Sequence, residues 1–497
     1  MTDMTEDGLQ RASRATLWFL LALGSFFAAH VALRLLLGGA FETDEAEMMV
    51  MTPDLRLGYG PQLPLYNWLQ IGLFELFGRS LLALSILKNG LLFLSFLLVF
   101  LGLRLWVPAG AAAFGALSLF LLPDIAWEAQ RATTHSNMLL ATSAATLAAF
   151  LWAVRSGGWA AWIALGLAVG LGGLAKYNYW LVPLGLFAAG LTIAPMRARI
   201  VSARALIVPA LAAAVVAAPY AWMLRNPDLA FSSVRKLQLD ELPPVTSGLP
   251  EGVPLLAVAM ATILALPLLV AALLLVFGRG RGRDKVEANG RPLVALLLRA
   301  AFFVALAMFA GVWASGMGHV TGRWLLPMAF LAVPGLFVWL FGRVSMRAIG
   351  RVYIVLGLIA ALVFTGLVFD RFKPGARRDV DFAALPEMIA TIAPMPGTPI
   401  VAEFYTAGNL ARARPDWRIA PYLGHASQQF GGETVLFLMR ENVPPSLEAG
   451  LALAGWPANM DQQIQAQGSL ELPYRSSDDL LPIRFVLVQT PPVVKTP

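Results

Sequence analysis

The sequence predicts an all-α polytopic membrane protein with a small α/β domain at its C-terminal end. Three observations carry this. Only 13% of the 497 residues are charged and 58% are hydrophobic, whereas soluble domains run near 25% charged. Apolar runs of about 20 residues, the length needed to cross about 30 Å of hydrocarbon, recur along most of the chain. From about residue 370 the pattern changes to short apolar runs bounded by glycine and proline, which read as strands and turns.

About eleven runs qualify as spans: 17–40, 80–103, 108–123, 135–154, 159–175, 177–195, 204–222, 254–277, 293–315, 324–342 and 351–369. The third and fifth are short. Residues 1–16 mix both charge signs, and the run after them is too long for the apolar region of a cleaved signal. A retained first span is therefore expected. Arginines set the orientation, because basic residues accumulate in cytoplasmic loops. With the N-terminus inside, Arg104, Arg155, Arg197, Arg199, Arg204, the GRGRGRDK run from 278, Arg343, Arg347 and Arg351 all fall inside. An odd number of spans then places the C-terminal tail outside. In a Gram-negative cell this means an inner-membrane protein with a periplasmic tail.

The expected domains are 1–370, which spans the membrane and contains an outer loop at 41–79, and 371–497, the outer α/β domain. In the latter, PIVAEFY, ETVLFLM and IRFVLV read as strands. ALPEMIATIA and PPSLEAGLALAG read as helices. The chain has no cysteine, so disulfides and thiolate metal sites are excluded. Its net charge of +7 is spread over short loop clusters without a basic–aromatic stripe, so no nucleic acid is expected as a partner.

Ionisable residues near a bilayer are expensive, which makes their placement informative. The outer loop opens with FETDEAE, four carboxylates (Glu42, Asp44, Glu45, Glu47) at the exit of the first span. If TDEAEMM forms a helix, Thr43 is its expected N-cap and the acids sit near the positive end of the helix dipole. That alone would account for them. LPLYNWLQIGLFELFG, further along the loop, suits a helix lying in the interface.

Other polar residues gather at the outer ends of later spans: Asp124, Glu128 and Arg131; His135; Lys176, Tyr177 and Asn178; Arg235 and Lys236; His319 and Arg323. Lys88 and Asn89 interrupt the second span. Each has an ordinary reading: Arg131 pairs with Glu128 as a surface bridge, Lys176 snorkels, and His319 is a loop histidine. Taken together they describe an outer polar cavity with acids on one side and cations on another. That suits a lipid-phosphate donor. Cations hold the phosphate and stabilise it as a leaving group, and a carboxylate takes the proton of an attacking hydroxyl.

FETDEAE followed by GYGPQLPLYNWLQ, then LLPDIAWEAQRATTHSNMLL, GLAKYNYWLVPL and HVTGRWLLPM, resembles the GT-C membrane glycosyltransferases of families 39 and 83. These include protein mannosyltransferase-like enzymes, lipid A aminoarabinose transferases and rhizobial galacturonosyltransferases. The resemblance covers the chain to about residue 370. It implies a polyprenyl-phosphate-linked sugar donor, an inverting displacement, and a lipid, glycolipid or protein acceptor. It implies Asp44 as the catalytic acid/base, with Glu45 beside it. It also implies Arg323 as a donor-phosphate ligand, with Lys176 or Arg131 as further cations, and Lys88 joins them on the residue reading as a further candidate. Tyr59, Gln62, Tyr66, His135, Tyr177, Asn178 and His319 would line the sugar or acceptor pocket. Pro61-Gln62-Leu63-Pro64 stands where aminoarabinose transferases carry an acid–lysine–proline step. Accordingly, neither a zinc site nor aminoarabinose is carried over. A divalent metal stays an open question: Glu45, Glu47, Asp124 and His319 are ligand types without a diagnostic spacing. A transporter or flippase of a lipid-linked sugar is the rival reading, and a scaffold acting through its outer tail is another. A transporter would concentrate charge near the midplane and show paired broken helices, but here the charges stand at span ends, with Lys88 as the main exception.

Overall fold

The computed structural model describes residues 6–52, 54–131, 134–230, 250–278, 280, 284–392, 397–422, 429–441, 456, 463–490 and 492, with the backbone alone for 6–13, 15 and 284–289. The expected helix at PPSLEAGLALAG and the pair Arg235 and Lys236 lie outside the described residues.

Among the described residues, eight helices are long and apolar enough to cross a membrane, and the number reaches ten if each of two bent pairs counts as one span. The sequence expectation of about eleven is corrected for two reasons. The run at 159–175 yields a helix of only 15 residues, Trp159–Gly173, about 22 Å long and short of the hydrocarbon thickness. The run at 108–123 does not continue straight. Ala109–Leu121 is followed by Asp124–Arg131 at an angle of 82°. The break is at Pro123, and Asp124–Glu128 forms a π turn, a local distortion that often marks functional positions. The second bent pair is Tyr177–Leu191 and Ala194–Ile200, at 118°. Many large apolar side chains on the spans are exposed, such as Leu268, Leu269, Phe277, Leu358 and Leu362, as expected of surfaces that face lipid rather than water.

Four elements organise the end of the molecule that carries the polar residues. Helix α1 (Glu6–Leu37) is the first span. It is followed by the short α2 (Thr43–Met51), by α3 (Leu65–Phe77) and by the second span, α4 (Leu81–Arg104). Both loop helices were legible in the sequence, but the cap was not. The N-cap is Glu42 rather than Thr43: its side chain and that of Glu45 form a reciprocal capping box, which satisfies backbone donors that Thr43 would have had to satisfy alone.

The C-terminal domain is a five-stranded mixed sheet of β1 (Ile400–Ala402), β2 (Ile419–Pro421), β3 (Thr434–Arg440), β4 (Ile464–Pro473) and β5 (Leu480–Gln489), in the order β2-β1-β3-β5-β4. β1 runs parallel to β2 and β3, and β5 is antiparallel to both β3 and β4. The three expected strands are β1, β3 and β5, and ALPEMIATIA forms the helix Leu385–Ile392. PIVAEFY is only half strand. Glu403 caps a helix, Phe404–Ala413, by accepting from the Thr406 N–H.

That helix joins the two domains. Gly408 meets α2 so closely that a Cβ there would lie 2.1 Å from the Ala46 carbonyl oxygen. Asn409 Oδ1 accepts from the Phe41 N–H at 2.7 Å, and its Nδ2 donates back to the Phe41 carbonyl at 3.1 Å. Arg412 stacks over the Phe41 ring at 4.6 Å and donates to the Gly39 carbonyl. The sheet domain thus grips the segment that leads into α2.

Candidate active site

α2 presents two neighbouring carboxylates to different surroundings. Glu45 is buried. Arg34 of α1 donates to it through Nε and Nη2, at 3.2 and 2.7 Å. Lys88 of α4 donates to it at 3.4 Å and to the Gln130 carbonyl at 3.0 Å. The Glu42 N–H adds a further bond at 3.1 Å. Burial alone would push the Glu45 carboxyl up, but Arg34, Lys88 and Arg378 outweigh it and hold it well below the usual carboxylate value. Arg378 also stands 3.8 Å from Glu42 and donates to the Arg131 carbonyl.

Asp44 is only partly buried as a residue, and its cations stand farther off. Burial pushes its carboxyl above the usual value. The fields of Arg323 and Lys176 and a hydrogen bond from the Thr134 N–H pull it back without cancelling that effect. Lys176 completes the group. Burial lowers its ammonium to about 8 against the opposing fields of Asp44 and Asp124, with Arg323 lowering it further. Its Nζ donates to Ser136 at 2.8 Å. Arg323 pairs with Glu128 at 3.3 Å, and its side chain is 42% exposed, so it keeps an open side. Glu128 also pairs with Arg131 at 3.2 Å, which is the bridge anticipated from their spacing.

The structure therefore gathers Asp44, Lys176 and Arg323 into one cluster with Asp124. It ties Arg131 to that cluster only through Glu128, and it pairs Lys88 with Glu45 instead. The rings of Tyr66 and His135 meet at a tilt of 47°, with centroids 5.1 Å apart. Both are buried, and among the described residues neither ring nitrogen of His135 has a partner. Asn178 donates weakly to the Trp324 carbonyl at 3.5 Å, while its buried Oδ1 has no partner among the described residues. Tyr177 donates to the Ala230 carbonyl at 3.1 Å. Tyr59 and Gln62 bridge each other across the loop, and Gln62 donates to Glu47 at 3.3 Å. His319 is exposed, 6.2 Å from the Trp324 ring.

Among the described residues no group of three or more His, Asp or Glu side chains is placed to hold a metal ion. Glu45, Glu47, Asp124 and His319 do not come together in that way. Sequence reasoning missed Arg34, the pairing of Glu128 with Arg323, Ser136, Arg378 and Asn409. Arg34 carried a signal, since it is a cation near the end of an otherwise apolar span. Arg378 and Asn409 carried none, because their contacts are 247 and 368 residues away in sequence.

The architecture is that of a solved structure, ArnT from Cupriavidus metallidurans bound to undecaprenyl phosphate, at a TM-score of 0.55 and 15% identity over 95% of this chain and 97% of that one. The apo form of the same protein gives 0.54 and 17%. The likeness shows a shared fold, a polytopic helical membrane protein with a C-terminal mixed sheet. Residues 60–222 match the family model of dolichyl-phosphate-mannose-protein mannosyltransferase. Two curated proteins of Rhizobium johnstonii are similar over long stretches. The chain is 30% identical over 502 residues to lipopolysaccharide core galacturonosyltransferase RgtA, covering 94% of this chain and 96% of that one. It is 33% identical over 367 residues to RgtB, a protein described in the same words, covering 72% and 68%. The chain belongs to this family of membrane glycosyltransferases.

Proposed function

We propose that the protein transfers a galacturonosyl residue from polyprenyl phosphate to a hydroxyl of the lipopolysaccharide core, on the periplasmic face and with inversion at the anomeric carbon. The similarity to RgtA along 94% of the chain is the observation that carries the sugar and the acceptor. The undecaprenyl phosphate bound by a protein of the same fold supports the donor.

In this reading Asp44 is the general base. A carboxylate raised by burial, yet kept ionised by neighbouring cations, is a better proton acceptor than one in water. It takes the proton of the acceptor hydroxyl as that oxygen bonds to C1 of the sugar. The C1–O bond to phosphate breaks, and polyprenyl phosphate leaves with the electron pair. Lys176 and the open side of Arg323 stabilise the charge developing on the phosphate oxygens. Buried polar atoms without partners are costly. Those of His135 and Asn178 beside this cluster therefore suit sugar hydroxyls, with Tyr66 as an apolar face.

Glu45 and Lys88 have a different part. Saturated by each other and by Arg34, they fix the helix that aims Asp44. Mass spectrometry of core oligosaccharide from cells with and without the protein tests the proposal. A difference of one hexuronic acid residue on the core is expected. Movement of a lipid-linked sugar across vesicles with an unchanged core would overturn it.

A further inference from the structure

A small cavity lies where α1, α4, the short helix after the Pro123 bend, the last span and the junction to the sheet domain converge. Its polar lining is His30, Arg34, Lys88, Asn89, Gln130 and Arg378, and leucines of the first and last spans complete the wall. The cavity leaves about 10 Å³ for the centre of a water-sized particle, room for one water or one monatomic ion. Each of the six polar lining residues is at most 5% exposed, so the cavity's chemistry is set by the protein and not by bulk water.

Charge does not balance there. Among the described residues, three buried cations meet two carboxylates at close range. Glu45 takes Arg34 at 2.7 Å and Lys88 at 3.4 Å. Glu42 stands 3.8 Å from Arg378 Nε, beyond hydrogen-bond reach, and 4.0 Å from the half-exposed Arg377. The next acids, Asp370 and Asp379, each have a cation of their own in Lys373 and Arg371. The surplus falls on Arg378, and an unbalanced buried charge is costly. Unused hydrogen bonding gathers at the same place. The Arg378 guanidinium donates through Nη2 to the Arg131 carbonyl, but among the described residues its Nε, Gln130 Nε2 and His30 Nε2 have no partner. Buried donors are nearly always paired. Asn89 Oδ1 is also without a partner among the described residues. It is an acceptor, because Nδ2 donates to the Ser85 carbonyl at 3.0 Å, and it is the one group that water would suit better.

We propose that this cavity binds a single monatomic halide, chloride. Arg378 Nε, Gln130 Nε2 and the His30 Nε2–H donate to it, and the fields of Lys88 and Arg34 hold it from the Glu45 side. The choice of an anion over water rests on the unbalanced charge. The choice of a monatomic ion over phosphate or a carboxylate rests on the size of the cavity. The bound ion ties the first two spans to the entry of the sheet domain, next to the cluster that fixes α2. Its role is to stabilise the fold, and it takes no part in sugar transfer.

The test uses the purified full-length protein in detergent, moved from chloride into gluconate at constant ionic strength. The melting temperature should fall in gluconate and be restored, with saturation, by chloride or bromide. Anomalous diffraction from crystals grown in bromide should show a peak within hydrogen-bond reach of Arg378 Nε and Gln130 Nε2. Gln130→Leu keeps every charge and the backbone carbonyl that holds Lys88 at 3.0 Å. It should weaken the halide response at least about tenfold, the loss of one hydrogen bond to a charged group. A melting temperature that is the same in gluconate as in chloride, a cavity without a bromide peak, or an unchanged halide response in Gln130→Leu would each overturn the site. If Gln130→Leu does not yield folded protein, the bromide map of the wild type decides alone.

Discussion

Asp44 and Glu45 are adjacent in one nine-residue helix, yet they stand in opposite kinds of polar cluster. Around Glu45 the charges are matched at close range: two guanidinium bonds, one ammonium bond and a backbone N–H, all buried. Around Asp44 the cations act mainly through their fields, and the residue keeps some exposure. The first arrangement has no free valence for a substrate. The second is an incomplete set of charges that an anionic donor and a hydroxyl acceptor would complete. Two carboxylates that look interchangeable in sequence are thus separated by which neighbours reach them. On the proposed reading the Glu45 side supplies rigidity and the Asp44 side supplies chemistry.

The sharpest way to break this contrast is to remove one charge at a time. Asp44→Asn should lower sugar transfer at least about a hundredfold, since general-base catalysis contributes about 10²–10⁴-fold. The yield of membrane-inserted protein should be unchanged. Transfer within a few-fold of wild type would dismiss Asp44 as the base.

Glu45→Gln should act on the fold instead. Breaking a buried ion pair by removing one partner costs about 3–5 kcal/mol, because Arg34 and Lys88 stay buried without their anion. The expected outcome is a clear fall in melting temperature. If Glu45→Gln leaves stability intact and abolishes turnover, the two roles have been assigned the wrong way round.

Asn409→Ala would test whether the sheet domain helps to aim α2. It strands the buried Phe41 N–H and carbonyl, at a cost of about 1–3 kcal/mol. Reduced stability together with a fall in kcat is expected. A stability loss with kcat untouched would make the domain contact merely structural.

The smallest effect concerns pH. Lys176, lowered to about 8, holds phosphate only while protonated, so activity should decline as pH rises through that value. Arginine stays charged throughout, so Lys176→Arg should remove this alkaline limb. Asp44 works only when ionised. Its raised carboxyl therefore places the acidic limb above the usual carboxylate range, and Lys176→Arg, which keeps the positive charge, should leave that limb in place.

Much of this was open to reading from the chain. The spans announce themselves through length and apolar content, and the C-terminal domain through its switch to short runs between glycine and proline. TDEAEMM and the interfacial helix were legible because both are local patterns. The cap was not, since Glu42 and Thr43 are both competent acceptors and only the reciprocal bond with Glu45 decides between them. PIVAEFY looked like one strand because its residues have high strand propensity, but Glu403 ends the strand by satisfying the first turn of a helix that docks on α2.

The candidate cluster follows the same division. That acids and cations would meet at one membrane face follows from sequence, because charges are tolerated only at span ends or in protein-lined cavities. Which acid meets which cation does not follow, because it depends on the approach of segments far apart in the chain. Arg34 lies 11 residues from Glu45 and Lys88 43. Lys176 and Arg323 reach the Asp44 side from later spans. The sequence by itself determined the membrane architecture, the polar end and the set of ionisable residues available to it, since hydrophobicity and charge cost are properties of composition and local order. Packing alone settles that Glu45 is neutralised within the fold while the cations near Asp44 act through their fields, because ion pairing falls off steeply with distance and packing fixes those distances.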